Sequence, residues 1–322
     1  MTHCILKNKY YISSYLSKVN TKLITSIVFL GLFFFSCKKE ETVFENNTIP
    51  PYSEIPTVQV QNYVNRLFID LIGREPVDLE MAAEVSALEN ADLSETSRLA
   101  LITKLMTDTT FVEGDSTYKK AYYVNIYEYT KARLIEGASD AEIESERGII
   151  LFAALNDSLN GDFTSYQRNI REAKKLKDIM DCRWDYQSGQ IGIREVYDRM
   201  IDNAIYDLIN MNAFNYINAT FDDLFYRYPT EAEFNQAFQI IEYNSPAVIF
   251  NEVAINEGQY LDILLNSEEY NEGMIRWCYL ALLAREPSTQ ETYSLIQDFR
   301  TSSNLQNIQK YILKSDEYAG FN

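Results

Sequence analysis

The sequence predicts an all-α protein made of repeated helix–turn–helix units that form a multi-helical bundle or a short array. Three observations favour this class. Only 11 glycines and 7 prolines interrupt 322 residues, while apolar residues make up 46% of them. Apolar side chains recur at helical spacing, as in residues 58–73. An Arg-x-Pro sequence also occurs three times, each time between an apolar run and an acidic helix start.

The three Arg-x-Pro segments share a glutamate four residues after the proline. They are Arg74, Pro76 and Glu80; Arg227, Pro229 and Glu233; and Arg285, Pro287 and Glu291. Because proline cannot continue a helix, each segment predicts a turn and then a new helix. We expect each arginine to bond the last carbonyls of its helix or to pair with the glutamate. Ligand binding is the alternative, but three copies favour a structural hinge.

The predicted helices are amphipathic runs between capping residues. Gly73 is expected to end the first helix, and Ser94 to begin the third. Ser267 and Ser315 are each followed by two acids, as at a helix start. The predicted ranges are 58–73, 77–90, 95–106, 139–180 with a break near Gly161, 193–209 and 213–227.

Three parts of the chain are predicted. Residues 1–36 form a signal peptide, 37–57 a flexible tether rich in asparagine and proline, and 58–322 one all-helical domain. Internal repeats are expected within that domain at about 60–111, 214–270 and 271–322.

The N-terminal segment resembles a bacterial lipoprotein signal. Lys18 and Lys22 precede an apolar run that is too short to span a bilayer comfortably. The run ends with Ser36 and Cys37, which resembles the lipobox and implies cleavage before Cys37 and lipidation of that residue, including palmitate. An ordinary secretory signal or an N-terminal anchor is the alternative. Residues 38–41 partly resemble the charged tag of Bacteroidota surface lipoproteins.

Composition disfavours several classes of function. The formal charge is −18, and residues 1–36 carry four lysines and no acid, so subtracting these four leaves −22 for the rest. Such a chain is repelled by phosphate backbones, which disfavours nucleic acid as a partner. The only histidine, His3, lies in the segment expected to be removed. The mature chain then lacks histidine for a Ser-His-Asp mechanism or for zinc, and no cofactor or metal site is predicted.

Two cysteines of the predicted domain leave two alternatives open. Cys182 and Cys278 could form a disulfide, or each could be a buried free thiol. The free thiol is favoured because Cys278 lies inside an apolar helical run.

Residues 181–192 concentrate tryptophan, tyrosine, glycine and charge, and they predict a long ordered loop. Loops carry function more often than helices do. Trp184 and Tyr186 are therefore the expected exposed pair for binding, with a glycan as one ligand class. Most of the 24 tyrosines and 17 phenylalanines are expected in the helical core.

The Leu-x-x-Leu-(Gly/Ala)-Arg-Glu-Pro sequence, followed by Ser-(Asp/Glu)-Glu-(Tyr/Phe), resembles two related helical families. One is the bacterial domain of unknown function 4214, and the other is the helical domain of phycobilisome linker polypeptides. Residues 60–111 and 271–318 match well, and residues 214–270 match in part. The resemblance implies an all-helical interaction or scaffold module with no shared reaction and no bilin.

Taken together, these features predict an outer-membrane lipoprotein in the periplasmic leaflet or at the cell surface. It would act as a non-enzymatic protein-binding scaffold, with an outer-membrane protein partner in, for example, a transport or secretion assembly. A glycan-binding accessory protein of polysaccharide uptake is the alternative. A hydrolase that uses carboxylates such as Asp222 and Asp223 ranks third.

Overall fold

A computed structural model describes residues 55–321, so the signal peptide and Cys37 lie outside the described residues. The all-α prediction is confirmed, with fifteen helices and two small β-hairpins in the described part. The helices are α1 (Thr57–Ile72), α2 (Asp78–Glu89), α3 (Glu95–Thr107), α4 (Tyr118–Leu134), α5 (Asp140–Leu159), α6 (Phe163–Ser188), α7 (Ile193–Ile201), α8 (Ala204–Ile209), α9 (Ala213–Phe225), α10 (Glu231–Tyr243), α11 (Glu257–Asn266), α12 (Glu268–Leu283), α13 (Thr289–Ser302), α14 (Leu305–Leu313) and α15 (Asp316–Ala319). The strands are β1 (Phe111–Val112), β2 (Ser116–Thr117), β3 (Ala247–Ile249) and β4 (Glu252–Ala254).

The predicted capping residues set several helix boundaries. Gly73 has φ 83°, and its N–H donates to the carbonyls of Phe68 and Ile69, which ends α1. The hydroxyls of Ser94, Ser267 and Ser315 each accept a hydrogen bond from the backbone N–H three residues on. These bonds satisfy donors that the first turn of a helix leaves free.

Tyrosine is a main component of the core, as the composition predicts. The largest side chains with almost no exposure include Tyr63, Tyr122, Tyr127, Tyr197, Tyr206, Tyr260, Tyr270, Tyr279 and Tyr318. Several donate to backbone or side-chain oxygens, as Tyr63 does to the Leu313 carbonyl at 3.1 Å. Burial of these rings contributes strongly to stability, because each brings a large apolar area. The hydroxyls of Tyr197 and Tyr270 have no hydrogen-bond partner among the described residues, which offsets part of that gain.

The two β-hairpins are short insertions between helices. In the first, Phe111 pairs with Thr117, and in the second, Val248 pairs with Val253. Phe250, at the tip of the second hairpin, has φ 47° and packs against Phe225 at 5.5 Å between ring centroids. The sequence did not predict either hairpin, because each strand has only two or three residues.

A helical hairpin consists of α5 and α6. The break predicted near Gly161 is confirmed: Gly161 has φ 78°, and Asp162 accepts a hydrogen bond from the Ser165 N–H at 3.1 Å. Within α5 only Ile143 and Ala154 are buried, and α5 packs almost entirely against α6. The outer face of α5 is therefore left to solvent.

The predicted loop over residues 181–192 is wrong. Helix α6 continues past Tyr186 and ends only at Gly189, which has φ 77°. Neither proline nor glycine interrupts the chain before that point, and Cys182 and Tyr186 continue the apolar face of Ile179 at helical spacing. Within residues 55–321, no helix is long and apolar enough to cross a membrane.

Candidate functional site

The three Arg-x-Pro segments, which we call the arginine turns, hold their arginines in the same set of contacts. Each Nη1 donates to the carbonyl of the next residue, and each guanidinium pairs with the glutamate six residues on. The shortest Nη–Oε distances are 2.7 Å for Arg74–Glu80, 2.7 Å for Arg227–Glu233 and 2.7 Å for Arg285–Glu291. The glutamate is one of the two partners that we expect for each arginine. The bonded carbonyl belongs to the following residue, not to the preceding helix.

Each arginine turn also receives a second acid from a later part of the chain. The second acids are Asp115, Glu269 and Glu317, in the order of the turns. Sequence reasoning missed these partners, because they lie between about thirty and forty residues away along the chain. The sequence did contain a signal for two of these acids, because Glu269 and Glu317 each belong to a repeated Ser-acid-acid helix start.

The glutamate of each arginine turn has a further role as a helix cap. Its carboxylate accepts the backbone N–H three residues earlier, as Glu233 does from Thr230 at 2.7 Å. Hydrogen bonds from the arginines lower the pKa of Glu233 and of Glu291 to about 2. An aromatic ring six residues before each arginine lies under the guanidinium: Phe68, Phe221 and Tyr279, at 5.5, 5.1 and 5.1 Å.

These contacts use the hydrogen-bond donors of the three guanidinium groups. A guanidinium has five N–H donors, and at each turn they are directed to two carboxylates and a carbonyl. Pro76, Pro229 and Pro287 are half-buried beside them. The arrangement joins two helices and a distant acid, which supports the hinge interpretation over a ligand site.

Trp184 and Tyr186 do not form an exposed pair. The Trp184 ring is 41% exposed, and it lies beneath Lys120 at 5.6 Å and Arg183 at 5.1 Å. The Tyr186 ring packs edge-on against Tyr123 at 4.9 Å, against the core. Residues two apart on a helix point in different directions, so the helix itself separates the two rings.

The paired carboxylates considered for hydrolysis also diverge. Asp222 is exposed, whereas Asp223 is half-buried and accepts a 2.9 Å hydrogen bond from the Tyr206 hydroxyl. Burial raises the pKa of Asp223 to about 6. The two side chains therefore do not flank a shared space.

The cysteine alternatives are resolved in favour of thiols. Cys182 and Cys278 are both free and buried. Burial raises the pKa of Cys182 to about 12 and that of Cys278 further. Neither thiol forms thiolate to a useful extent near neutral pH.

An exposed apolar stripe lies along α5 and continues onto the start of α6. Its members and their exposed fractions are Ile149 61%, Phe152 66%, Leu155 54%, Leu159 76% and Phe163 65%. Residues 148–156 carry no charge. Sequence reasoning missed this surface because an apolar helical run reads as core until its packing partners are known.

No family model, curated protein or solved structure matches the chain. Among residues 55–321, no group of three or more His, Cys, Asp or Glu side chains is placed to hold a metal ion. The apolar stripe groups five exposed large apolar side chains on one helical hairpin.

Proposed function

We propose that this protein is a non-enzymatic scaffold, anchored in the outer membrane by lipid on Cys37, that binds a membrane protein through the apolar stripe of α5. The observation that carries the proposal is the exposure of five large apolar side chains on one helical hairpin. Burying one such side chain contributes about 1.5–3 kcal/mol. A surface of this kind is typical of a helix that packs into the groove of a partner.

Exposed cations on the same hairpin favour a partner that carries carboxylates. Arg168 and Arg171 lie on α6 near the tip of the hairpin, and within the described residues neither forms an ion pair. A partner surface whose carboxylates face these exposed arginines would complement them.

The base of the hairpin is held firmly, which suits a docking arm. Asp140, at the start of α5, pairs with Arg183 at 2.8 Å and with Lys131 at 3.1 Å. Nearer the tip, Asn169 donates to Asp157 at 2.7 Å. The stripe is thereby presented in one orientation, so less conformational entropy is lost on binding.

Site-specific photo-crosslinking in the membranes of the native cell tests the docking surface. A photoreactive amino acid in place of Phe152 should give one discrete crosslink to a membrane protein. The same group in place of Tyr293, which is 75% exposed on α13, should not. The Phe152→Ser/Leu155→Ser variant should lose copurification of the crosslinked protein, whereas Tyr293→Ser should keep it.

Two results would reject this docking surface. One is equal crosslinking from both positions, since the stripe would then have no selectivity. The other is a product of twice the chain mass, which would identify a second copy as the occupant.

The anchor is tested separately by metabolic labelling with a fatty acid. Labelling should be abolished in Cys37→Ala, whereas globomycin, which inhibits the lipoprotein signal peptidase, should leave an uncleaved precursor. Unchanged labelling of Cys37→Ala would exclude lipidation at this residue and leave the α5 surface to be judged by crosslinking alone.

A further inference from the structure

A small cavity lies between α1, α4, α12 and α14, with a volume of about 190 Å³. Its mouth is marked by Ile69 and Tyr129, which are 43% and 49% exposed. Its wall includes Trp277, which is only 7% exposed, and the buried Cys278. Pockets for drug-sized ligands begin at about 300 Å³, so this cavity fits only a small head group.

Two aromatic rings form one corner of the cavity. The ring centroids of Tyr129 and Trp277 are 6.0 Å apart, with the planes at 67°. Elsewhere this chain places its own cations over such rings, as with Arg66 over Tyr318 at 4.1 Å. No lysine or arginine among residues 55–321 lies over either ring of this corner.

Among the described residues that line the cavity, Asp70 is the only charged one. Its Oδ2 accepts a 2.7 Å hydrogen bond from the Tyr318 hydroxyl, but within the described part of the chain no cation forms an ion pair with it. Arg66, one turn earlier, donates instead to the carbonyls of Leu282 and Tyr318 at 2.9 and 2.7 Å. Burial raises the pKa of Asp70, although the Tyr318 hydrogen bond and the nearby charge of Arg66 oppose the shift.

We propose that this cavity binds the head group of a small organic cation, a quaternary or primary ammonium, between the Tyr129–Trp277 corner and Asp70. Aromatic faces attract such cations, and a carboxylate neutralises them. The protonated Cys278 thiol leaves the rest of the wall neutral, since burial raises its pKa. The net charge of −18 attracts cations towards the protein.

This inference goes beyond the scaffold function and does not depend on it. The cavity is formed by α1, α4, α12 and α14, whereas the proposed docking stripe lies on α5 and the start of α6. Failure of either proposal leaves the other intact, because neither test uses the residues of the other surface.

Choline, its uncharged carbon isostere 3,3-dimethyl-1-butanol, and glucose are the probes. Trp184→Phe leaves Trp277 as the only tryptophan, so its fluorescence reports on the cavity. At about pH 8, where carboxylates are ionised, choline should give saturable fluorescence and calorimetric signals. We expect 3,3-dimethyl-1-butanol to bind about tenfold or more weakly and glucose not to bind.

Substitutions locate the site within the cavity. Asp70→Asn retains an acceptor for Tyr318 but removes the charge, and it should weaken choline binding about tenfold or more. Tyr129→Leu, at the exposed mouth, should weaken binding without endangering the fold. Glu242→Gln, on the exposed face of α10, removes the same charge elsewhere and should leave binding unchanged.

Four outcomes would overturn the proposal. They are equal affinity for the uncharged isostere, unaltered binding in Asp70→Asn, no saturation by choline up to about 10 mM, and saturable binding of glucose without choline. The first two would identify a merely apolar cavity, and the last a sugar site.

Discussion

Single side chains at the arginine turns satisfy several partners at once. Glu233 accepts from Arg227 and from the Thr230 N–H, so one carboxylate joins a turn and a helix cap. At Asp223, by contrast, burial disfavours the charged carboxylate and raises its pKa to about 6. These two residues therefore shift stability with pH in opposite directions.

Glu233→Gln should destabilise the protein at neutral pH, because the amide cannot pair with Arg227 as an anion. The pKa of Glu233 is about 2 when folded and about 4.3 when unfolded. Its contribution is therefore full above the unfolded value and is lost as pH falls towards 2. After allowance for solvent screening we expect a loss of about 1–2 kcal/mol near pH 7.

Urea unfolding of this variant at several pH values checks the expectation. Glu231→Gln, an exposed acid in the same first turn, provides the control and should change little. A loss that persists unchanged at about pH 2.5 would show that the effect is not ionic.

Asp223→Asn should stabilise the protein above neutral pH. The carboxylate has a pKa of about 6 when folded and about 3.9 when unfolded. Its ionisation thus costs stability progressively as pH rises from 4 to 6, and the full cost remains above that range. Asparagine keeps an acceptor for Tyr206 without the charge, and we expect a gain of about 1–2 kcal/mol at pH 8.

Thermal melts of wild type and Asp223→Asn between pH 4 and 8 measure this gain. The difference in Tm should shrink towards zero near pH 4. A constant difference, or a less stable variant at pH 8, would contradict a raised pKa at this site.

Helix boundaries were the part of the fold that could be predicted best, because caps and breakers act locally. Gly73, Ser94 and Gly161 lie at helix boundaries as expected. The predicted helix 193–209 is instead divided at Asp202 and Asn203, where the Asn203 side chain caps a new helix. The loop predicted around Trp184 is wrong because no helix breaker precedes Gly189, and a concentration of aromatic and charged residues does not by itself end a helix. The two β-hairpins were not predicted because strands of two or three residues are too short to show an alternating pattern of apolar and polar residues.

The crossing of α9 and α12 offers a test of packing between elements. A Cβ on Gly273 would lie 2.0 Å from the Leu224 carbonyl oxygen, so an added methyl group must force the two helices apart. Gly273→Ala should therefore cost about 1–3 kcal/mol despite the better helix propensity of alanine.

Gly148→Ala is the matched control for that substitution. Gly148 lies inside α5, and no atom beyond its own stretch of helix backbone lies within 4 Å of the added Cβ, so its replacement should be neutral or stabilising by up to about 1 kcal/mol. Chemical denaturation of both variants provides the measurement. Equal effects would mean that the α9–α12 crossing relaxes without cost.

Across the whole molecule, the first and last described helices complete one core. Tyr63 on α1 lies 5.5 Å from Phe321 and 6.0 Å from Tyr318 between ring centroids. Tyr318 in turn donates to Asp70 at 2.7 Å. The sequence could not predict this closure, nor the pairing of Arg285 with Glu317, because no local pattern encodes which distant segments meet.

Tyr318→Ala should destabilise the whole domain and not only its C-terminal end. Removing a buried aromatic side chain costs about 3–5 kcal/mol. Hydrogen exchange should then accelerate in α1, which loses its cover, together with the C-terminal helices. Tyr293→Ala, at a 75% exposed ring, should alter neither Tm nor exchange. Faster exchange confined to α15 would contradict a shared core.

The closure between Tyr63 and the C-terminal residues also constrains when the domain can finish folding. A chain synthesised from its N-terminus presents α1 first, whereas Tyr318, one of the rings that cover α1, is made 255 residues after Tyr63. At about 5–20 residues per second, that interval lasts roughly 10–50 s. During it α1 lacks the aromatic cover that Tyr318 and Phe321 later provide.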